Sequence, residues 1–324
     1  MREKIRVAFI YKAKNVFMTG KHFDNVYYNF FMKALKRNNR IQVSYFHSED
    51  KFDVRKLKGS IDIILLWQNN EWGTPDLLGI QDLDIPVITR CADPREAKII
   101  KKYHKKWKID YYFHFWPEPF FHSFLPKRYK YKMIIFGVEP QLYQNVKPFK
   151  DRINKKILNS GAIGNTKPIS QIINKIRNPK WNALRVYHLR TIINKLPCID
   201  YFPTLQNEFV GDKFALLLQK YQGAVAACTI TSVAKMWEIP AAGCLCFLEV
   251  NEKNNVEDIG YVDGETAIFI NESNYKKKIK EFLENLDDPK WGKIADAGRE
   301  FTLNKLNNDK AVDSLVDLME LALK

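Results

Sequence analysis

The chain has 324 residues, with 52 Lys and Arg against 37 Asp and Glu, for a formal net charge of +15 at pH 7. Apolar residues make up 46% of it, enough for two ordinary cores, so composition excludes a disordered chain. No apolar run approaches the roughly 18–20 residues that a helix needs to cross a bilayer.

The opening MREKIRVAFIYKAKN has too short an apolar segment for a signal peptide and leads straight into a strand-like pattern. Five cysteines, an odd number without tight spacing, predict free thiols in a reducing compartment, hence a cytoplasmic protein. Residues 6–11, 41–46, 61–67, 85–90, 110–115 and 132–136 read as strands. Their nearly continuous apolar character suits strands covered on both faces. The stretch 23–35, between the first two, is apolar at helical spacing. Its lead-in, Thr19-Gly20-Lys21-His22 with Asp24, follows the first strand, which makes His22 and Asp24 candidate general bases. Asp93 ends another strand and is equally placed, although Asp93-Pro94 also reads as a helix cap followed by proline. His114 and Glu118, around Trp116, form a further candidate group. Asp82-Leu83-Asp84 spells the Asp-x-Asp of metal-binding loops but precedes a strand, and reads as a turn; no metal site is expected.

Positive charge gathers in KIIKKYHKKWK, residues 98–108, and KRYKYK, residues 127–132. Such clusters attract polyanions, whether nucleic acid, anionic lipid headgroups or acidic glycans. Tyr103, Trp107, Tyr129 and Tyr131 interleave with the lysines, a pattern suited to base stacking or to contact at the inner face of a membrane.

Pro148 and the charged stretch 150–156 mark a linker, so the expected domains are 1–148 and 149–324, with the last helix packing back on the first. A strand at 156–160 runs into Ser160-Gly161-Ala162-Ile163-Gly164, where a glycine at Gly161 lets backbone approach a phosphate. Helical patterns at 169–176 and 181–196, a strand at 198–202, a helix at 214–221 and strands at 224–228 and 244–248 follow. Cys244 and Cys246 share one face of the latter and read as buried apolar residues. Three helices, 275–286, 289–306 and 309–323, close the chain. The alternation predicts an α/β protein of two doubly wound, Rossmann-like halves.

Between the strands at 224–228 and 244–248 lies Lys235-Met236-Trp237-Glu238-Ile239-Pro240. Residues three apart on a helix share a face, so Lys235 and Glu238 point the same way near a strand's carboxyl edge. An ammonium there suits a diphosphate, and a carboxylate suits two ribose hydroxyls. Thr231 and Ser232 directly precede this helix and would cap it, offering its N-terminus to an anion.

The run KMWEIPAAGCLCFLE, then GYVDGETAIFI, then KKIKEFLENLDDPKWGKIADAGREF, resembles the C-terminal half of group 1 glycosyltransferases, nearest to the branch of the spore-coat maturation protein CgeB. The resemblance covers about residues 155–324. It implies the GT-B fold, two Rossmann-like domains facing across a cleft, and transfer of a sugar from a nucleotide-sugar such as a UDP-sugar. The acceptor, a glycan, lipid or protein, is left open, and neither cofactor nor metal is needed. Nucleic acid is disfavoured as a partner, while peripheral contact with an anionic membrane stays open. It assigns Glu238 to the ribose, Lys235 to the family's basic position, and Tyr187 with Arg190 to a Tyr-x-x-Arg element at the diphosphate. The family's other glutamate, which meets the sugar, would fall at Ile230, which cannot do that work. The alternative is a non-catalytic shell that binds a polyanion through its basic face.

Overall fold

The computed structural model describes residues 3–165, 167–177, 182–204 and 207–324. The chain divides into two compact units, Met1–Phe136 with Asn308–Lys324, and Gly137–Asn307. The change of unit thus falls at Gly137, whereas the sequence places a linker at Pro148.

The first unit is built on six parallel strands in the spatial order Ile41–His47, Ile5–Tyr11, Ile63–Leu66, Val87–Arg90, Ile109–His114 and Lys130–Met133. Ile63–Leu66 and Val87–Arg90 are buried at every position, as central strands covered on both faces must be. Aromatic rings fill one side: Phe9 stacks on Phe31 at 5.0 Å and Phe30 on Phe136 at 4.7 Å. Phe30 and Phe31 come from a helical stretch whose middle, Asn29–Ala34, is wound as a π-helix. The chain's closing helix, Asn308–Ala322, buries Val312, Leu315, Val316 and Met319 in this unit. Exposed pairs, Arg37 with Asp309 at 2.5 Å and Arg40 with Asp317 at 2.7 Å, flank that apolar face and add little to it.

The basic helix Ala97–Lys106 is amphipathic: Lys101, Lys102, Lys105 and Lys106 are exposed, while Ile100 and Tyr103 are buried. Trp107 is fully buried and Tyr129 nearly so. The Tyr131 hydroxyl donates to the carbonyls of Trp116 and His114 at 2.6 and 2.9 Å. The interleaved aromatic residues are therefore core and internal packing, and the expected stacking surface is absent from these positions.

The second unit has five parallel strands in the order Ile199–Phe202, Ile153–Ser160, Tyr221–Ala226, Leu245–Glu249 and Ile268–Ile270. The sequence missed Ile268–Ile270, and also the short parallel pair Lys51–Asp53 with Asp76–Leu78 in the first unit. Three-residue strands are too short to show a period. The core gathers Ile157, Val225, Leu245, Phe247, Phe282 and Trp291. Helix Lys290–Lys305 packs tightly on this unit at Gly298, where a Cβ would lie 2.3 Å from the Thr266 carbonyl and 3.7 Å from Pro240. The small residues of the IADAG run are thus a close-packing requirement, met at the helix that carries Glu238. The expected helix at 181–196 begins on Trp181, outside the described residues; beyond it the chain forms Ala183–Val186 and His188–Ile193.

Candidate functional site

In the second unit the strands Ile153–Ser160 and Tyr221–Ala226 are neighbours. The chain leaves them toward opposite sides of the sheet, one to the edge strand Ile199–Phe202 and one to Leu245–Glu249. Ligands of open α/β sheets bind outside the carboxyl ends at such a switch point. Gly161 ends the first of these strands with φ +97°. A Cβ there would sit 2.1 Å from Lys235 Nζ and 3.2 Å from Arg190 Nη1. The left-handed backbone disfavours any side chain there, and an added Cβ would also displace the Lys235 ammonium. The turn is fixed by Gly161 N–H donating to the Phe202 carbonyl and by the Tyr201 hydroxyl donating to the Gly161 carbonyl, each at 2.9 Å.

Lys235 and Arg190 therefore converge on one glycine from different elements. Lys235 Nζ also lies 5.7 Å from the Phe214 ring centre. Arg190 is 3% exposed, and its guanidinium lies 4.7 Å from the Tyr187 ring. It donates to the carbonyls of Ala162 and Ala227. Its Nε is buried without a hydrogen-bond partner. These bonds to backbone carbonyls take the place of the structural salt bridge that would be the ordinary reading of a buried arginine. They hold a positive charge beside the strand ends.

The helix starts later than the sequence suggests. Lys235–Ala241 has Ala234 as its N-cap, with no side-chain cap bond. Ser232 and Thr231 are fully buried two and three residues before that cap, and Thr231 Oγ1 has no hydrogen-bond partner. Thr231 does not cap the helix, and backbone bonds to Val233 and Ala234 close its first turn. Met236, Trp237, Ile239 and Pro240 are buried, while Lys235 and Glu238 are half-exposed on the remaining face. Ile230 is 8% exposed and apolar. One group at this edge has no place in the sequence reading, the buried carboxylate Glu249 that ends the strand Leu245–Glu249. The available signal was a charge closing a wholly apolar strand.

In the first unit the loops after Ile5–Tyr11 and Val87–Arg90 carry the base candidates. His22 Nδ1 accepts the Asp24 N–H at 3.0 Å, and its ring lies 4.0 Å from Phe17 and 4.1 Å from Phe23. Asp24 Oδ1 accepts the Val26 N–H at 3.1 Å, a local turn that leads into the following helix, whose N-cap is Asn25. Asp93 turns the chain through its carbonyl, which accepts the Glu96 N–H at 2.8 Å. Burial pushes the Tyr27 phenol up to about 12; the Arg90 charge opposes this, and Asp24 and Asp93 add to it. These two carboxylates thus act on the same half-buried phenol. His114 is different: it is buried, stacks on Trp116 at 3.5 Å and faces Arg90 Nη1 at 3.2 Å. Burial, then the Arg90 charge, holds its imidazole well below the usual value, so it stays neutral. Glu118 is exposed beside His122 at 3.5 Å and does not join His114 in one group. Among the described residues no His, Cys, Asp and Glu cluster is placed to hold a metal ion, and no helix is long and apolar enough to cross a membrane.

No family model matches the chain, and no curated protein matches it. Solved structures do. A glycosyltransferase from Rickettsia africae ESF-5 is 13% identical over 99% of this chain and 99% of its own, with a TM-score of 0.57. HepE of Anabaena, solved with UDP and glucose, is 8% identical over 98% of this chain and 100% of its own, with a TM-score of 0.54. The alpha-glucosyltransferase AGT, solved with UDP, is 9% identical over 98% and 99%, with a TM-score of 0.54. The likeness spans the whole chain and shows the fold: two Rossmann-like α/β domains of the GT-B class.

Proposed function

We propose that the protein is a glycosyltransferase that moves a sugar from a UDP-sugar to an acceptor hydroxyl, with the donor held by the second unit. The observation that carries this reading is the convergence of Lys235 and Arg190 on the bare backbone of Gly161, at the sheet's switch point. Two cations against a glycine suit a diphosphate, and the half-exposed Glu238 on the face of Lys235 suits the ribose. Solved neighbours of the same fold that carry UDP support the choice of nucleotide.

In the reaction the bond from the sugar's anomeric carbon to the diphosphate oxygen breaks, and the acceptor oxygen bonds to that carbon. The acceptor's proton passes to a base, for which Asp24, Asp93 and His22 of the first unit are the candidates. UDP departs with a growing negative charge, and the Lys235 ammonium and Arg190 guanidinium stabilise it in place of a metal ion. Turnover of UDP-glucose should then persist in excess EDTA. Loss of turnover with recovery on added Mn²⁺ would contradict this.

Gly161→Ala tests the site from its backbone side. The new methyl must push the Lys235 ammonium away, and a left-handed alanine costs about 1–2 kcal/mol in stability. UDP affinity should fall about tenfold, by the same factor as in Lys235→Ala, and the double variant should be no worse than either. A folded Gly161→Ala protein that binds UDP like the wild type would remove the diphosphate from this position.

A further inference from the structure

The same sheet edge carries a second built feature. The strand Leu245–Glu249 is buried throughout and ends on a carboxylate that is itself 2% exposed. A cavity of about 350 Å³ opens there, with Thr229, Glu249, Asn251, Glu252, Lys253 and Glu272 in its wall. The loop is organised around the carboxylate. Asn254, fully buried, donates to the main-chain carbonyls of Glu249 at 2.9 Å and Cys228 at 3.2 Å, which ties two strand ends together. Asn251 Nδ2 donates to Glu249 Oε1 at 3.1 Å. The other oxygen, Oε2, and Thr229 Oγ1 make no well-formed hydrogen bond, although Thr229 acts on the carboxylate against its burial. A carboxylate this buried, with few donors and set in a cavity wall, points to a ligand with hydroxyl groups.

The neighbouring position explains the need. Ile230, the next residue after Thr229, is apolar and nearly buried and offers a ligand no polar group, which leaves that work to Thr229 and Glu249. We propose, resting on the UDP-sugar reading above, that this cavity receives the transferred sugar. Glu249 takes a hydrogen bond from one sugar hydroxyl, and the site selects a neutral or amino sugar over a uronate. The selection follows from charge: three carboxylates, Glu249, Glu252 and Glu272, face one ammonium, Lys253. Arg190 lies close enough to act on Glu249, and Glu272 pairs with His188 at 3.6 Å. Burial pushes the Glu249 carboxyl up to about 7. Thr229, Arg190 and Asn251 pull against burial, and Glu272 adds to it. Its charge therefore changes near neutral pH.

The test is calorimetric titration of the full chain with UDP, UDP-glucose and UDP-glucuronate at pH 6 and pH 8. The wild type should bind UDP-glucose more tightly than UDP, and UDP-glucuronate less tightly than UDP-glucose. Glu249→Gln should keep UDP affinity within about twofold while losing about tenfold for UDP-glucose. Thr229→Val, a smaller change that spares the carboxylate, should lose part of the same increment. The extra affinity for UDP-glucose should grow from pH 6 to pH 8 in the wild type and stay flat in Glu249→Gln. UDP binding with an unchanged UDP-glucose increment in both variants and no pH dependence would overturn the pocket assignment and leave the donor site standing. Absence of UDP binding in the wild type would overturn the donor reading, and the pocket assignment with it.

Discussion

Replacing Glu238 by alanine should weaken UDP binding about a hundredfold, with the fold intact. Glu238 is half-exposed on a helix whose other residues, Met236, Trp237, Ile239 and Pro240, are buried, so the change removes a side chain without disturbing the packing that places it. A hydrogen bond to a charged group contributes roughly 1.5–3 kcal/mol. Two bonds to ribose hydroxyls amount to about 3 kcal/mol or more, the origin of the hundredfold figure. Glu238→Gln should be milder, because one acceptor oxygen survives. Lys235→Ala should differ in kind, weakening UDP but sparing uridine, if its ammonium meets the diphosphate as proposed. Calorimetry with UDP and uridine on the three variants separates these roles. Equal losses for both ligands in Lys235→Ala would contradict the division.

Glu249→Gln should also stabilise the protein, increasingly so as pH rises. Burial raises the folded carboxyl from 4.5 to about 7. The native state therefore holds a proton that the unfolded chain gives up near 4.5. Stability contributed by this group is complete below about pH 4.5 and is lost as pH rises through about 7. The shift corresponds to about 3 kcal/mol, at 1.36 kcal/mol per unit. Glutamine carries no such proton, so the variant should match the wild type at pH 4.5 and exceed it at pH 8. In a domain of this size that is about 5–10 °C in Tm. Comparing the two proteins at each pH cancels carboxylates of the opposite kind, such as Asp53, which Arg55 holds down at about 2. A Tm difference that is the same at both pH values would show that Glu249 is ionised throughout.

The two sets of predictions rest on parts of the site that were unequally visible in the sequence. Lys235 and Glu238 were legible because helical spacing alone puts residues three apart on one face, and the buried residues around them mark the other face. The strands were legible as continuous apolar runs; only three-residue pieces such as Ile268–Ile270 escaped, being shorter than any period. Gly161 could be suspected from its turn, which needs a left-handed backbone, but the approach of the Lys235 ammonium to it is a contact between segments more than seventy residues apart. Arg190 reads in the sequence as a diphosphate ligand or a structural ion pair. Its bonds to the Ala162 and Ala227 carbonyls exist only once two strand ends meet. Glu249 was overlooked because its one local signal, a charge closing an apolar strand, is shared by carboxylates that step out into solvent. The basic segment at 98–108 misled in the opposite way, since helix periodicity sent Tyr103 and Trp107 into the core and only the lysines outward.

The most direct measurement is titration of the wild-type chain with UDP at 50 mM and 300 mM salt, with a DNA duplex as the comparison ligand. One UDP should bind per chain, UDP-glucose should compete for it, and the affinity should change little with salt, because Lys235 and Arg190 are partly or wholly buried. No saturable UDP binding, together with DNA binding that falls steeply as salt rises, would contradict the account and identify a binder of polyanions instead.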